Sequence, residues 1–244
     1  MKLLFHRISK GFTLVELLIV MTIIAVMMVL ATTVMRDTGT GRTLDSGLYL
    51  VENLIQEARA TAQGKDTYAR VIFVTAPNDT SKNSVHLRYV GVQYLEKADA
   101  KGQNDPAAKL QGKWISTSTG LMLPPGVFFS PSYSRALSWA EGSSDRVGTT
   151  TTEISKDKNR RVYYFEFDEK GRYVAPSAGP NSPTQPHRVV LISARLGKDN
   201  RHARDGITPS QLDSHRRPAG AKGLVIWPAG NTSRLRTREQ IFSR

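Results

Sequence analysis

Cysteine is absent from all 244 residues. That excludes disulfides, thiol nucleophiles and cysteine-ligated zinc. Histidine is scarce. The five copies are His6, His86, His187, His202 and His215, and no two stand four apart or complete a His-Glu-x-x-His zinc pattern. His86 falls in a strand-like run and reads as structural. There is no Gly-x-Ser-x-Gly nucleophile elbow, no phosphate-cradling Gly-x4-Gly-Lys loop and no EF-hand calcium loop. Asn104-Asp105 and Asp199-Asn200 carry oxygens of the calcium-binding kind but read as solvated turns. The sequence therefore gives no basis for an enzyme, a cofactor or a metal centre. Acidic residues are also short: 21 against 34 lysines and arginines, a formal net charge of +13. Such a surplus favours anionic partners, or simply keeps the surface soluble.

What is present begins with a long apolar run. Phe12 to Met35 spans 24 residues and holds one formal charge, Glu16. As a helix at about 1.5 Å per residue it is roughly 36 Å long, enough for a hydrocarbon core of about 30 Å. It is too long for the apolar region of a secretory signal, usually about 7–15 residues. Lys2, Arg7 and Lys10 precede it with no acid among them. Basic flanks stay cytoplasmic, which predicts a single pass with the C-terminal bulk outside. Glu16 is the anomaly, because a lone carboxylate in an apolar segment is costly and calls for a partner.

The residues around Glu16 carry a resemblance. A short basic leader ends in Gly11; Phe12, Thr13, Leu14, Val15 and Glu16 follow, then the apolar run. This resembles the class III signal of type IV pilins and type II secretion pseudopilins. The resemblance implies cleavage between Gly11 and Phe12 by a membrane prepilin peptidase, and N-methylation of Phe12. It also implies that Glu16 of one subunit meets the Phe12 amine of its neighbour in a filament. Each charge then has a partner in a low-dielectric place, where removing one is costly. The alternative is an ordinary anchor with Glu16 at headgroup level, tethering a periplasmic domain unrelated to filaments.

Arg36 to Gly41 interrupts the run with two glycines, each about 1 kcal/mol less favourable than alanine in a helix. A kink, a melted turn or a boundary is expected there. Leu44, Leu48, Val51, Ile55, Ala58 and Ala62 then recur at alternating spacings of four and three, one face of a helix over Leu44–Gln63. Gly64 supplies a C-terminal stop. Beyond it the period becomes two. Strands are expected at Arg70–Thr75, Val85–Leu95 (broken at Gly91), Trp114–Thr117, Val127–Ser130, Val162–Asp168, Tyr173–Ala175, Arg188–Ser193 and Leu224–Trp227. Phe165 to Val174 reads as a hairpin turning at Asp168–Gly171. Ala98–Lys109, Ser132–Lys158 and Pro176–Pro186 read as loops.

The fold class is therefore α+β: a long N-terminal transmembrane helix, then a β-rich globular domain. The divisions are a leader 1–11, a transmembrane or filament-core helix 12–35, a linker and amphipathic helix 36–64, and an exported domain 65–244. Within that class the chain resembles GspH/FimT-type minor pseudopilins. The residues that carry this are Ala58-Arg59 near the helix end, and the turn from Phe165-Glu166-Phe167-Asp168 to Gly171. That resemblance implies a minor structural subunit of a type IV pilus or type II secretion pseudopilus. Its implied partners are prepilin peptidase, other pilins, an inner-membrane assembly platform and membrane lipid. Its implied place is the cytoplasmic (inner) membrane, with the C-terminal domain periplasmic or extracellular.

From about residue 196 the chain is a basic tail, with ten Lys/Arg against four acids. Arg234, Arg236 and Arg238 lie two apart. An extended tail would set them on one side, able to track a phosphate backbone. Ser233-Arg234-Leu235-Arg236 is similar to the Gly-Arg-x-Arg element of DNA-uptake minor pilins, without its glycine. DNA is thus the alternative partner, against a solvated flexible tail.

Overall fold

The computed structural model describes residues 13–76, 84–97, 112–137, 147–155, 158–175, 185–196 and 206–242, without the side chains of 29–40 and 155–158. Helix α1 runs Leu14–Lys65. The chain divides into two compact units after Gly41.

In the first unit, α1 begins at a capping box. The Glu16 amide donates to Thr13 Oγ1 at 3.2 Å, and the Thr13 amide donates back to Glu16 Oε2 at 3.0 Å. The large apolar side chains from Leu14 to Met28 are exposed, from 44% at Ile24 to 82% at Leu14. Among the described residues no helix is long and apolar enough to cross a membrane. The side chains of residues 29–35, the end of the expected span, lie outside that description.

Of the outcomes expected at Arg36–Gly41, the boundary is present, as the division of the chain after Gly41, while no turn melts and the backbone is helical throughout α1. In the second unit, Leu44, Leu48, Val51, Leu54, Ile55, Ala58 and Ala62 are buried and join one core cluster with strand residues. Gly64 is not the stop. The helix runs one residue further and closes with Asp66 at φ 47°. The Thr67 amide reaches the Ala62 carbonyl at 3.0 Å, and the Asp66 amide reaches that of Gln63 at 3.4 Å. This is a Schellman ending with aspartate in the position glycine usually fills.

Among the described residues, twelve strands form two antiparallel sheets. The first contains β1 (Ala69–Val74), β2 (Tyr89–Lys97), β3 (Gly112–Ser116), β4 (Leu121–Met122), β6 (Gly148–Ser155), β7 (Lys158–Phe167) and β8 (Tyr173–Val174). Its order is β3-β2-β1-β7-β6, with β4 on β2 and β8 on β7. The second contains β5 (Val127–Phe129), β9 (His187–Leu196), β10 (Ile207–Pro209), β11 (Ala221–Ile226) and β12 (Thr232–Arg234). Its order is β10-β9-β11-β12, with β5 on β9. A short helix, α2, closes the described chain at Arg238–Phe242. Phe73 stacks on Phe129 at 4.0 Å, joining the two sheets through the core.

All six residues of β1 are buried. Ala69, Val71 and Phe73 face the core cluster, while Ile72 and Val74 form a second small cluster with Val162. The other face is covered because the sheet curls on itself. Gln93 Nε2 on β2 donates to the Glu153 carbonyl of β6 at 3.0 Å, and Lys113 on β3 lies 3.5 Å from the Glu153 carboxylate.

Several expectations shift. The hairpin forms as read, with Phe167 opposite Tyr173 and Gly171 at φ 70°. Gly91 does not break β2; it pairs in register with Ile72. That strand starts late, at Tyr89, because the chain turns at Leu87, whose φ is 53°. Ser132–Lys158 is not all loop, since β6 occupies Gly148–Ser155. Residues 207–242 are not a tail. They supply β10, β11, β12 and α2, with Ile241 and Phe242 buried. The loop at Ala98–Lys109, most of Pro176–Pro186, and Asn104-Asp105 and Asp199-Asn200 lie outside the described residues.

Candidate functional site: the N-terminal segment and the basic groove

The expected cleavage pair, Gly11 and Phe12, lies outside the described residues. Glu16 sits in the first turn of α1, and its carboxylate also accepts from Thr13 Oγ1 at 3.0 Å. Two donors on Thr13 therefore satisfy Glu16 within its own chain. The signal was legible as Thr-x-x-Glu before an apolar run. The capping box explains a carboxylate at the third helical position. It does not explain glycine and phenylalanine ahead of it.

The Ala-Arg pair and the Phe-x-Phe-Asp turn, far apart in sequence, meet in space. Ala58 is fully buried, which brings the helix close to the sheets. Arg59 Nε then donates to the Gly171 carbonyl at 3.1 Å, and Nη2 to the Ala229 carbonyl at 3.3 Å. Gln63 Nε2 donates to the Lys170 carbonyl at 3.0 Å. The turn itself is held by Asp168, whose Oδ1 accepts from the amides of Lys170 and Arg172 at 3.0 and 2.8 Å. Gly230, at φ 83°, completes the junction; a Cβ there would stand 2.0 Å from the Gly171 oxygen. The two features form one latch between the helix and the turns of both sheets.

The three C-terminal arginines line one groove of about 700 Å³ with Lys222, Asp45, Leu48, Leu235 and Ile241. They do not form the extended row expected from their spacing. Arg234 lies in β12, Arg236 follows it, and Arg238 opens α2. Arg234 is held by the Glu52 carboxylate through Nε at 3.0 Å and Nη2 at 2.5 Å, and its guanidinium lies 3.6 Å over the Tyr49 ring. Arg238 Nη2 donates to Asp213 at 3.1 Å and to the Pro218 carbonyl at 2.9 Å. Lys222 pairs with Asp45. The amide of Arg236 is capped by Gln240 Oε1 at 2.9 Å, while its side chain stands exposed.

Residues 6–32 match the prokaryotic N-terminal methylation motif. That motif supports the type IV pilin and pseudopilin family. The match spans the leader end, Gly11, Phe12, Glu16 and most of the apolar run. It marks a substrate of prepilin peptidase in a family whose members assemble with one another. The family is structural rather than catalytic, which fits the absence of catalytic motifs. No curated protein and no solved structure matches the chain.

One further cluster escaped sequence reading. Arg70 is buried on the curled sheet and donates to Gln93 Oε1 through Nε and Nη2 at 3.1 and 2.9 Å. Its guanidinium lies 3.8 Å over the Trp114 ring. Thr152 Oγ1 also donates to Gln93 Oε1, at 3.2 Å. Burial lowers Arg70 to about 10, so it stays charged at neutral pH. Glu166, its cross-strand neighbour, is raised to about 7 by burial, against the attraction of Arg70. Among the described residues no group of three or more His, Asp or Glu is placed to hold a metal.

Proposed function

We propose that the protein is a minor pilin or pseudopilin. Prepilin peptidase cuts it after Gly11 and Phe12 is methylated. The Phe12–Met35 helix then leaves the inner membrane to pack in the core or tip of a filament. The domain after Lys65 stays outside and makes the subunit contacts. The observation that carries this reading is the methylation motif over residues 6–32, with a glutamate at the fifth position after the cut. The latch of Arg59 on the Gly171 turn supports the GspH/FimT-like subtype. It gives the two sequence features that mark that group one shared physical purpose.

The Thr13–Glu16 box adds a step to this reading. In the free subunit Thr13 occupies the Glu16 carboxylate. In the filament the Phe12 amine of a neighbour takes that place. Glu16→Ala should leave cleavage intact while removing the protein from sheared filament fractions, read by immunoblot of membrane and filament pools. Normal incorporation of that variant would remove the pairing.

DNA uptake through the C-terminal arginines is not favoured. Phosphate tracking needs several cations free to displace counterions. Arg234 and Arg238 already face carboxylates within the fold.

A further inference from the structure

In the second unit the helix and the second sheet run side by side, and the pairs between them fix which end each residue occupies. Lys222 at the start of β11 meets Asp45, Arg234 meets Glu52, and Ala229 past the end of β11 meets Arg59. The turn that leads into β11 therefore lies at the Arg42 end of the domain. It is a closed turn: the Ala219 amide donates to the Gln211 carbonyl at 2.8 Å, and Asp213 Oδ1 accepts from the amides of His215 and Arg217 at 2.9 and 2.7 Å. Strand β9 reaches the same end. A Cβ on Gly220 would stand 3.0 Å from Ser193 Cβ and 3.5 Å from Leu44 Cδ1. Arg195 lies two residues beyond Ser193, on the same face of β9. This end is basic, and its charge is not spent within the fold. Arg42, Arg195, Arg216 and Arg217 are exposed, and among the described residues none of them pairs with a carboxylate. The acids nearby cannot neutralise them, since Lys222 holds Asp45 and Arg238 holds Asp213. Glu239, exposed on α2, is the exception. Leu212 stands among the arginines, 55% exposed. The opposite end is balanced, with Lys65, Lys170 and Arg172 against Asp66, Asp168 and Glu169.

We infer that this end of the domain docks on an anionic phospholipid surface, with the four arginines on headgroup phosphates and Leu212 in the interface. Two observations select lipid over other anions. A headgroup layer takes cations and an apolar side chain together, whereas a nucleic-acid backbone has no use for Leu212. The tether is also short. Seven residues separate Met35 from Arg42, which reach about 10 Å as helix and at most about 25 Å in any conformation. A domain tied that closely to a membrane-spanning segment presents its Arg42 end to the headgroups. The inference rests on Phe12–Met35 spanning the membrane before assembly, as proposed above. It adds that the domain is oriented on the bilayer by charge before the subunit enters a filament.

The test uses the full chain in nanodiscs, made of phosphatidylcholine alone or with about one third phosphatidylglycerol. The chain has no cysteine, so Ser214→Cys gives a single site for a fluorophore on the exposed turn, and Lys170→Cys gives one at the opposite end. Lipids with a quencher on the headgroup report proximity. Quenching at position 214 should be at least about twofold stronger in the anionic discs than in the neutral ones, and should fall to the neutral level in about 1 M salt, where the screening length is about 3 Å. Position 170 should be quenched equally in both. Combined Arg195→Gln, Arg216→Gln and Arg217→Gln should abolish the difference at 214 with the melting temperature unchanged, because all three side chains are exposed. Equal quenching at 214 in the two discs, or a difference that survives the triple substitution, would overturn the inference. Loss of the quenching on adding a DNA duplex would overturn it in favour of a nucleic-acid surface. Co-elution with the neutral discs separates the two failures. A chain that does not enter them removes the spanning reading and this inference with it, while a chain that enters them but shows no anionic dependence at 214 removes this inference alone.

Discussion

One helix carries two chemistries. From Leu14 to Met28 its large apolar side chains face outward on every side, and none is buried. From Leu44 to Ala62 a single stripe is buried and polar residues occupy the rest. A helix apolar all round needs an apolar environment supplied by others; a helix apolar on one face finds it in its own domain. The first stretch thus finds no cover within its own unit, while the second is fixed against its own domain. Arg59 and Gln63 anchor the fixed half to the carbonyls of Gly171, Ala229 and Lys170.

The largest expected contrast sets Ile55→Ala against Leu18→Ala. Ile55 is completely buried and Leu18 is 58% exposed. Ile55→Ala should lower the stability of the β-rich domain by about 2–5 kcal/mol. Leu18→Ala should leave it within about 0.5 kcal/mol. Chemical denaturation in detergent, followed by tryptophan fluorescence, measures both. Equal effects would mean the two halves do not differ in kind.

The second test concerns the sheet whose outer face is also buried. Glu166 holds its proton up to about 7, well above the usual carboxylate range of an unfolded chain. The folded state therefore binds the extra proton, and stability falls as pH rises from about 4.5 to 7 and then levels. Glu166→Gln should remove that pH dependence, about 3 kcal/mol across the window, and leave the variant more stable than the parent at pH 8. Urea midpoints across pH 4.5–8 read it; an unchanged slope would show that Glu166 is solvated.

The smallest effect lies at the end of the fixed half. Asp66 holds φ 47° where glycine carries no steric penalty. Asp66→Ala should lower the stability by about 1 kcal/mol, because alanine keeps the left-handed penalty and loses the short polar side chain that eases it. An unchanged thermal midpoint would show that the aspartate side chain contributes nothing to the turn.

Local chemistry was legible in the sequence where it is periodic or rigidly spaced. The Leu44–Ala62 stripe, the Phe165–Tyr173 hairpin and the Gly11-Phe12-Glu16 spacing are all of this kind. Thr149–Thr152 was not, because a strand of threonines shows no apolar alternation although β-branching suits it to a sheet. Thr232–Arg234 and Arg238–Phe242 were hidden by their charge. Arg234 reads as a tail residue until Glu52, 182 positions away in sequence, supplies its counter-charge. The Arg70–Gln93–Thr152 cluster depends on three strands meeting, which spacing along one chain does not encode. Glycines gave a mixed signal. Gly39 and Gly41 stand at the division between the two units although α1 stays helical past them, whereas β2 runs unbroken through Gly91.

The central claim is that residues 1–11 are removed and the first half of α1 becomes an assembly helix. Intact-mass measurement on protein from native membranes, with the N-terminal residue sequenced, tests it most directly. The account predicts a chain beginning at N-methylated Phe12. A chain beginning at Met1 would contradict it and leave a tethered domain whose groove, latch and sheets serve some purpose other than a filament.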